Sequence, residues 1–170
     1  MADNPLSFHE IKDLDMRIAA NGEWFYRGSR IERKNLVRLF STILRREDDG
    51  RYFLQTPVER GEVLVEKAPF MAVLMDVAGE GEAQQLTFET NVGERFVAGP
   101  DHTLSFSLDL DSGEPLPMLD LERGLTARLN RAVFYQLVDL AVPRGEVGPL
   151  EIWSGGVAFS LAALQPANRP

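Results

Sequence analysis

The chain has 170 residues and a mass of 19.0 kDa, which corresponds to one ordinary domain or two small ones. Hydrophobic residues make up 44% of it and charged residues 26%, a globular composition that excludes bulk disorder. The absence of cysteine excludes disulfide scaffolds, thiol nucleophiles and cysteine-ligated metal centres.

The formal net charge is −8, and it is unevenly distributed. Residues 1–67 hold 12 basic and 12 acidic residues, whereas residues 68–170 hold 6 basic and 14 acidic ones. An acidic protein is a poor partner for nucleic acid polymers and anionic membranes, because phosphate binding needs clustered lysine and arginine. No apolar run approaches the roughly 20 residues of a membrane span, and residues 1–5 lack signal-peptide features. We therefore expect a cytoplasmic protein that contacts neither a membrane nor a nucleic acid polymer.

The first half begins with a predicted β-hairpin. Residues 14–20 alternate apolar and polar side chains, which is typical of a half-buried strand. Asn21-Gly22 is a strong turn dipeptide, and the aromatic run 24–26 favours a returning strand.

An amphipathic helix is predicted over residues 31–46, followed by strands over 51–55 and 62–66. The apolar face of this helix consists of Leu36, Val37, Phe40, Ile43 and Leu44. The opposite face carries a basic stripe of Lys34, Arg38 and Arg45. This stripe either faces solvent or meets a phosphate or an acidic partner.

The second half is predicted to consist mostly of strands, with one helix. Residues 70–77 are nearly all apolar, which indicates a strand that is buried on both faces or central in its sheet. Short strands follow up to residue 120, and residues 122–141 predict a helix with a wide apolar face. A terminal hairpin is predicted over residues 150–161.

The second predicted helix also carries a polar row, formed by Arg128, Arg131, Tyr135 and Asp139 at spacings of three and four. Arginine offers a bidentate fork for phosphate or carboxylate, and tyrosine offers a ring on which a base can stack. The same row could equally be a structural network that ties the helix to a sheet.

Each half reads as strands, a helix and further strands, which suggests an internal duplication. The two predicted helices align without gaps at an offset of 90 residues. We predict an α+β fold with antiparallel sheets and two subdomains, residues 1–67 and residues 68–170.

Signatures of enzymes are scarce. The sequence contains no phosphate-binding glycine-rich loop, no dinucleotide-binding fingerprint and no nucleophile elbow, and it has two histidines. An enzyme with carboxylate or metal chemistry is therefore the least favoured class, and we expect no catalytic residue, no metal and no cofactor.

Short segments spread along the chain resemble a bacterial family, domain of unknown function 1285 (DUF1285). The resemblance covers residues 12–162 and rests on the order and spacing of the segments Trp24-Phe25-Tyr26-Arg27-Gly28, Thr56-Pro57-Val58-Glu59, Ala68-Pro69-Phe70, Thr90-Asn91-Val92-Gly93, Arg131, Phe134-Tyr135-Gln136-Leu137-Val138 and Trp153-Ser154-Gly155-Gly156.

The resemblance implies a duplicated α+β core, with a C-terminal half similar to a pleckstrin-homology-like barrel. It also implies a non-enzymatic role in signal transduction and a small, nucleotide-type ligand at the interface between the halves. The matching segments supply the expected ligand-binding residues Thr56, Glu59, Thr90, Asn91, Arg131, Tyr135, Trp153 and Ser154. The alternative is a protein-interaction module that uses a sheet edge or the basic helix 31–46 to bind a protein partner.

Overall fold

The computed structural model describes residues 8–166. The chain forms two compact units. The N-terminal unit ends at Pro69 and also includes Arg123–Leu125, and the C-terminal unit consists of Phe70–Glu122 and continues from Thr126. Strands dominate both units, and the described residues contain two α-helices.

A six-stranded mixed sheet forms the N-terminal unit, together with one helix. Its elements are β1 (His9–Ile18), β2 (Trp24–Tyr26), β3 (Ser29–Arg30), α1 (Lys34–Thr42), β4 (Leu44–Arg46), β5 (Tyr52–Gln55) and β6 (Glu59–Val65). The strand order is β3-β2-β1-β6-β5-β4, so two antiparallel meanders meet at the parallel pair of β1 and β6. Ile18, Trp24 and Leu44 are fully buried on one face, which fixes the register of the strands.

The C-terminal unit contains a second six-stranded sheet and a smaller three-stranded sheet. Its elements are β7 (Phe70–Ala78), β8 (Gln85–Thr90), β9 (Arg95–Val97), β10 (Leu104–Leu108), β11 (Pro115–Asp120), β12 (Thr126–Leu129), α2 (Arg131–Val138), β13 (Val142–Pro143), β14 (Leu150–Ser154) and β15 (Val157–Ser160). Short 3-10 turns occupy Gly81–Ala83, Glu122–Gly124 and Ala162–Leu164. The larger sheet has the order β10-β11-β12-β7-β8-β9, and β13-β14-β15 form the smaller one.

The two six-stranded sheets repeat one topology. In each unit, the first strand lies beside the sixth in parallel, and antiparallel meanders extend to both sides. The prediction of purely antiparallel sheets is therefore wrong at the two central pairs. The 90-residue offset between helices is also wrong, because α1 lies between the third and fourth strands of its unit and α2 follows the sixth. Neither six-stranded sheet closes into a barrel within residues 8–166.

Both predicted helices are too long. Leu44–Arg46 form strand β4, because Leu44 pairs with Leu54 and is completely buried. Within the helix predicted over residues 122–141, Thr126–Leu129 instead form strand β12, whose residues alternate between half-buried and buried. Arg123 and Gly124 have φ angles of 60° and 71°, which no α-helix accommodates.

Helix α2 begins after Asn130, whose side-chain Oδ1 accepts a hydrogen bond from the backbone N–H of Val133 at 2.8 Å. Arg128 consequently lies on β12, so the predicted polar row does not form along one helix. The basic stripe is likewise shorter than predicted. Arg45 lies on β4, where its guanidinium donates to the carbonyls of Thr42 and Leu44.

The prediction for residues 70–77 is partly confirmed. Strand β7 is central in its sheet, between β8 and β12. It is not buried on both faces, since Leu74 is 58% exposed and Val77 is 47% exposed. The strand register shifts between Ala72 and Leu74, and the residues from Leu74 to Ala78 are exposed or half-buried.

Two predicted turns are confirmed in position, although Asn21-Gly22 lies in the longer loop 19–23 and does not form a two-residue hairpin turn. Gly22 lies in the turn between β1 and β2, has a φ angle of 86° and donates its N–H to the carbonyl of Ala19. The terminal hairpin joins β14 and β15 through Gly155-Gly156, both with positive φ angles, as a two-residue hairpin loop requires.

Candidate functional site

The eight predicted site residues divide between the two units. Thr56 and Glu59 belong to the N-terminal unit, and the other six belong to the C-terminal unit. The expectation that all eight contact one ligand stays a prediction.

Thr56 and Glu59 form the turn between β5 and β6. The Thr56 hydroxyl accepts the backbone N–H of Glu59 at 3.1 Å, and the two residues also pair through their backbones. The Glu59 carboxylate makes no hydrogen bond within the described part of the chain. Thr56 thus shapes the turn, and Glu59 presents a carboxylate that is available to a ligand.

Thr90 and Asn91 support the turn between β8 and β9. Asn91 exchanges hydrogen bonds with Met71, its Oδ1 accepting the Met71 N–H at 3.1 Å and its N–H donating to the Met71 carbonyl. Thr90 is 2% exposed and accepts the N–H of Glu94. Both side chains hold the ends of strands together.

Ser154 is completely buried and links the small sheet to the larger one. Its hydroxyl donates to the Ala98 carbonyl at 2.7 Å and accepts the N–H of Leu86 at 2.9 Å. The carbonyl of the neighbouring Trp153 accepts a hydrogen bond from the Gln84 side chain. These hydrogen bonds of Trp153 and Ser154 all join residues of the C-terminal unit.

Arg131 and Tyr135 lie on the exposed side of α2. The Arg131 side chain is 74% exposed and its guanidinium lies 3.9 Å from the Glu114 carboxylate. Tyr135 is 59% exposed, and its ring contacts that of Phe134. These two side chains are accessible to a partner or ligand.

A cavity of about 460 Å³ lies in the N-terminal unit between α1 and the sheet, and we call it the apolar pocket. Its walls are mainly apolar and include Ile11, Leu14, Leu36, Phe40, Ile43 and Leu54. The spacing of Leu36 and Phe40 places them on the same face of α1, and Ile43 directly follows the helix. Four polar residues, Tyr26, Thr56, Glu59 and Arg60, also line it, so two of the predicted site residues belong to this pocket.

Arg60 is already neutralised where it lines the apolar pocket. Its guanidinium donates to Glu10 at 2.9 Å and to Glu47 at 2.8 Å, and it stacks over the ring of Phe53. Arg60 is therefore already paired with carboxylates and is not free to bind an incoming anion in this pocket.

A second and larger cavity, of about 1050 Å³, lies in the same unit, and we call it the charged cleft. Sequence reasoning missed it. Arg17 lines it together with Phe25 and Leu64, its partners on the neighbouring strands. Since successive side chains of a strand point to opposite faces, these three lie on the face opposite to buried Met16 and Ile18.

Carboxylates hold two arginines of the charged cleft in place. Arg17 donates to Glu66 at 2.7 Å, and Arg51 donates to Asp49 at 2.8 Å. The N–H of Ala20 and then the Arg17 guanidinium lower the pKa of Glu66. The backbone N–H of Arg51, followed by its side chain, likewise lowers the pKa of Asp49. Because these carboxylates stay charged, the two guanidiniums are anchored.

A bulge in β1 forms one wall of the charged cleft. Ile11 lies opposite Gly61 and Met16 lies opposite Val63, so four residues of β1 face a single residue of β6. Asp13 and Asp15 in this bulge have φ angles of 59° and 53°, and the facing Arg27 has a φ angle of 50°. Such backbone costs about 1–3 kcal/mol per residue and clusters at functional sites.

The structure contains no group of three or more histidine, cysteine or acidic side chains placed to hold a metal ion, as far as residues 8–166 show. None of the helices described here is long and apolar enough to cross a membrane.

Comparison with known proteins identifies the family. Residues 6–68 match the model "Domain of unknown function (DUF1285), N-terminal domain", and residues 69–161 match "Protein of unknown function (DUF1285), C-terminal domain". No curated protein matches the chain.

Two solved structures are similar to it. A DUF1285 family protein from Silicibacter pomeroyi DSS-3 is 42% identical, with a TM-score of 0.84, over 92% of this chain and 86% of that one. A DUF1285 family protein from Shewanella baltica OS155 is 33% identical, with a TM-score of 0.58, over 75% of this chain and 92% of that one. With both of its halves matched by the family models, the chain belongs to the DUF1285 family.

Proposed function

We propose that the protein is a non-enzymatic, cytoplasmic module that binds a small molecule, and that the apolar pocket holds this ligand. The observation that carries the proposal is the pocket itself. Its volume of about 460 Å³ lies within the range of roughly 300–1,000 Å³ for small-molecule sites. Apolar walls with a few polar groups are the usual lining of such sites.

The lining favours a ligand with a flat, apolar body and N–H donors. Phe40 offers an aromatic wall, and the Glu59 carboxylate accepts hydrogen bonds. Phosphate is disfavoured inside the pocket, because Arg60 is bound to two carboxylates. A nucleotide-type ligand would therefore insert its base, direct an exocyclic amino group toward Glu59 and leave its phosphates outside.

Loose packing of α1 supports a signalling role. Leu36 and Phe40 are only half-buried, and Ser41 is the only residue of this helix that is fully buried. A ligand in the pocket would supply the missing apolar contacts and stabilise α1 on the sheet, since a ligand that binds only the folded state stabilises it. Occupancy would then change the surface that α1 presents to a partner.

A thermal-shift screen with two tryptophan variants tests this proposal. The compounds are nucleosides, nucleotides, cyclic nucleotides and small organic acids. At 100 times its Kd, a ligand stabilises the folded state by about 2.7 kcal/mol, which raises Tm by several degrees. Leu36→Trp fills the pocket and should abolish the shift. Leu39→Trp, on the exposed side of α1, should leave it intact, because Leu39 is 59% exposed.

The proposal is wrong if no compound raises Tm, or if Leu36→Trp responds to the compounds as the wild type does.

A protein-interaction module is the second candidate function, and the hairpin of β10 and β11 favours it. Leu110 at its tip is completely exposed. The tip is ordered, since Oδ1 of Asp109 accepts the N–H groups of Asp111 and Ser112. Burial of this exposed leucine in an apolar pocket of a partner would favour binding through the hydrophobic effect. In this alternative, the C-terminal unit would act as pleckstrin-homology-like modules do.

Binding of a partner identified by pull-down would test the second candidate. Leu110→Ser should abolish that binding, whereas Val147→Ser, at a residue that is 96% exposed elsewhere in the same unit, should not.

A further inference from the structure

We infer that the charged cleft is a second binding site, independent of the apolar pocket, for a small zwitterion of dipeptide size with apolar side chains. The two cavities share Ile11, Leu14, Met16, Arg60 and Gly61, whereas Arg17, Arg27 and Arg51 line only the charged cleft. The inference therefore does not rest on the proposed function.

Cationic groups in the cleft keep free hydrogen-bond donors. The described ion pair of Arg17 uses one of its guanidinium nitrogens, Nη1. Arg51 uses Nε for Asp49 and approaches Glu62 with Nη1 only to 3.9 Å. A guanidinium has five N–H donors in a planar fork, so each of these two arginines can still bind a carboxylate.

Arg27 is a cation without a carboxylate partner among residues 8–166. Its guanidinium stacks on the ring of Tyr26 at 5.2 Å, and its backbone N–H donates to the Asp15 carbonyl. The left-handed backbone at Arg27 is costly for a non-glycine residue, and the following Gly28 is also left-handed, with φ 79°. This strained turn places a free guanidinium at the cleft.

Anionic groups line the same cleft. Asp13 and Asp15 flank Leu14 in the β1 bulge, and both are exposed. No ion pair or side-chain hydrogen bond is made by either carboxylate within the described residues. Free carboxylates and a free guanidinium therefore line one cavity.

An apolar platform lies between the arginines. Arg17 lies opposite Leu64, and the pairing of Tyr52 with Val63 places Arg51 opposite Leu64 on the other side. With strands about 4.8 Å apart, the two arginine backbones lie about 10 Å apart across this row. Leu64 is 63% exposed, and an apolar side chain of a ligand would cover it.

This combination selects a zwitterion over a simple ion. The carboxylates repel a small anion and the guanidiniums repel a small cation, whereas a molecule with one charge of each sign satisfies both. We assign the ligand carboxylate to Arg27 and the ligand ammonium to Asp13 and Asp15, with Arg17 and Arg51 on either side of the apolar side chain that covers Leu64. The volume of about 1050 Å³ leaves room for two residues with their side chains.

Isothermal titration with three matched dipeptides tests the inference. Leucyl-leucine is the zwitterion, N-acetyl-leucyl-leucine lacks the cation and leucyl-leucine amide lacks the anion. Leucyl-leucine should bind saturably, and each blocked peptide should bind at least about tenfold more weakly, because each loses a charge-assisted contact.

Charge-removing variants locate the site. Asp13→Asn and Asp15→Asn suit the left-handed backbone, since asparagine is enriched there. Together they should weaken leucyl-leucine binding at least about tenfold, as should Arg27→Gln. Asp48→Asn and Arg46→Gln, exposed and outside the cleft, should bind normally, as should Leu36→Trp, whose change lies in the apolar pocket.

The inference is overturned if leucyl-leucine shows no saturable binding. It is equally overturned if the blocked peptides match it in affinity, or if the Asp13→Asn/Asp15→Asn variant binds like the wild type. None of these outcomes bears on the apolar pocket, which the tryptophan variants test separately.

Discussion

The two units share a strand order but differ in how their helix packs. In the C-terminal unit, α2 buries Val133 and Leu137 almost completely. In the N-terminal unit, α1 buries only Ser41 fully, and its apolar side chains line a cavity. The same strand order is therefore compatible with a helix whose apolar side chains are buried in one unit and with a helix that borders a cavity in the other. This difference is the reason why we propose the N-terminal unit as the ligand-binding unit.

The first strands of the two units differ as well. In β7 the bulge is small, since Ala72 pairs with Thr90 and Leu74 pairs with Glu89. In β1 four residues lie between the pairs formed by Ile11 and Met16. The longer bulge interrupts the central parallel pair, and both cavities of the N-terminal unit lie beside it.

Truncation of one leucine on each helix should give the largest contrast. Leu137→Ala on α2 should lower the free energy of unfolding by about 2–5 kcal/mol, because it opens a cavity in a filled core. Leu36→Ala on α1 should cost about 1 kcal/mol, since the side chain is already half-exposed. Urea unfolding measures both changes. Equal losses would mean that α1 is packed as tightly as α2.

A methyl group on Gly61 tests how the β1 bulge packs on β6. A Cβ atom at this position would lie 2.8 Å from Cδ2 of Leu14 and 3.1 Å from its Cβ. Gly61→Ala should therefore cost about 1–3 kcal/mol of unfolding free energy, as overpacking does. Gly61→Ala should cost less when it is added to Leu14→Ala than when it is added to the wild type, because the shorter side chain at position 14 removes the contact with Cδ2. A neutral Gly61→Ala would show that the bulge moves freely.

The N-cap residues that precede the two helices provide a smaller contrast. Asn130 caps α2 with its side chain, whereas Arg33 at the start of α1 makes no such hydrogen bond. Asn130→Ala should lower the free energy of unfolding by about 1 kcal/mol, and Arg33→Ala should change it by less than about 0.5 kcal/mol. Thermal unfolding of the two variants checks this difference, and similar losses would contradict it.

Acid should produce the smallest effect, through Glu66. The backbone N–H of Ala20 and the Arg17 guanidinium lower the pKa of this carboxyl in the folded state. Its contribution to stability is therefore complete above the ordinary value of 4.5 and is lost as the pH falls through the lowered pKa. The wild type should be slightly more stable than Glu66→Gln at pH 7, and this difference should vanish at low pH. A difference that persists in strong acid would contradict this account.

Local signals in the sequence predicted much of the secondary structure. The turns at Asn21-Gly22 and Gly155-Gly156 could be predicted because they need a left-handed backbone, which glycine adopts freely. The second helix was overextended because Leu125 and Leu129 have helical spacing, whereas the alternation of Ala127 and Leu129 suits a strand equally well. Thr126–Leu129 form a strand because they pair with β7 and β11. Such long-range pairing cannot be recognised from the local sequence.

The candidate sites were only partly predictable. Thr56 and Glu59 came from a family-like segment, and they line the apolar pocket. The charged cleft depends on the β1 bulge, which the alternating pattern of residues 14–20 does not reveal. Arg17, Arg27 and Arg51 lie far apart in the sequence, and only the sheet places them around one cavity.

Chemical-shift mapping tests the central claim most directly. Each compound of the thermal-shift panel is titrated into 15N-labelled protein, and the perturbed backbone amides are assigned. We predict that at least one compound perturbs a continuous set that includes Leu36, Phe40, Thr56 and Glu59, with saturation. No saturable perturbation from any compound, or perturbations confined to the C-terminal unit around Tyr135 and Trp153, would contradict the assignment of the ligand to the apolar pocket.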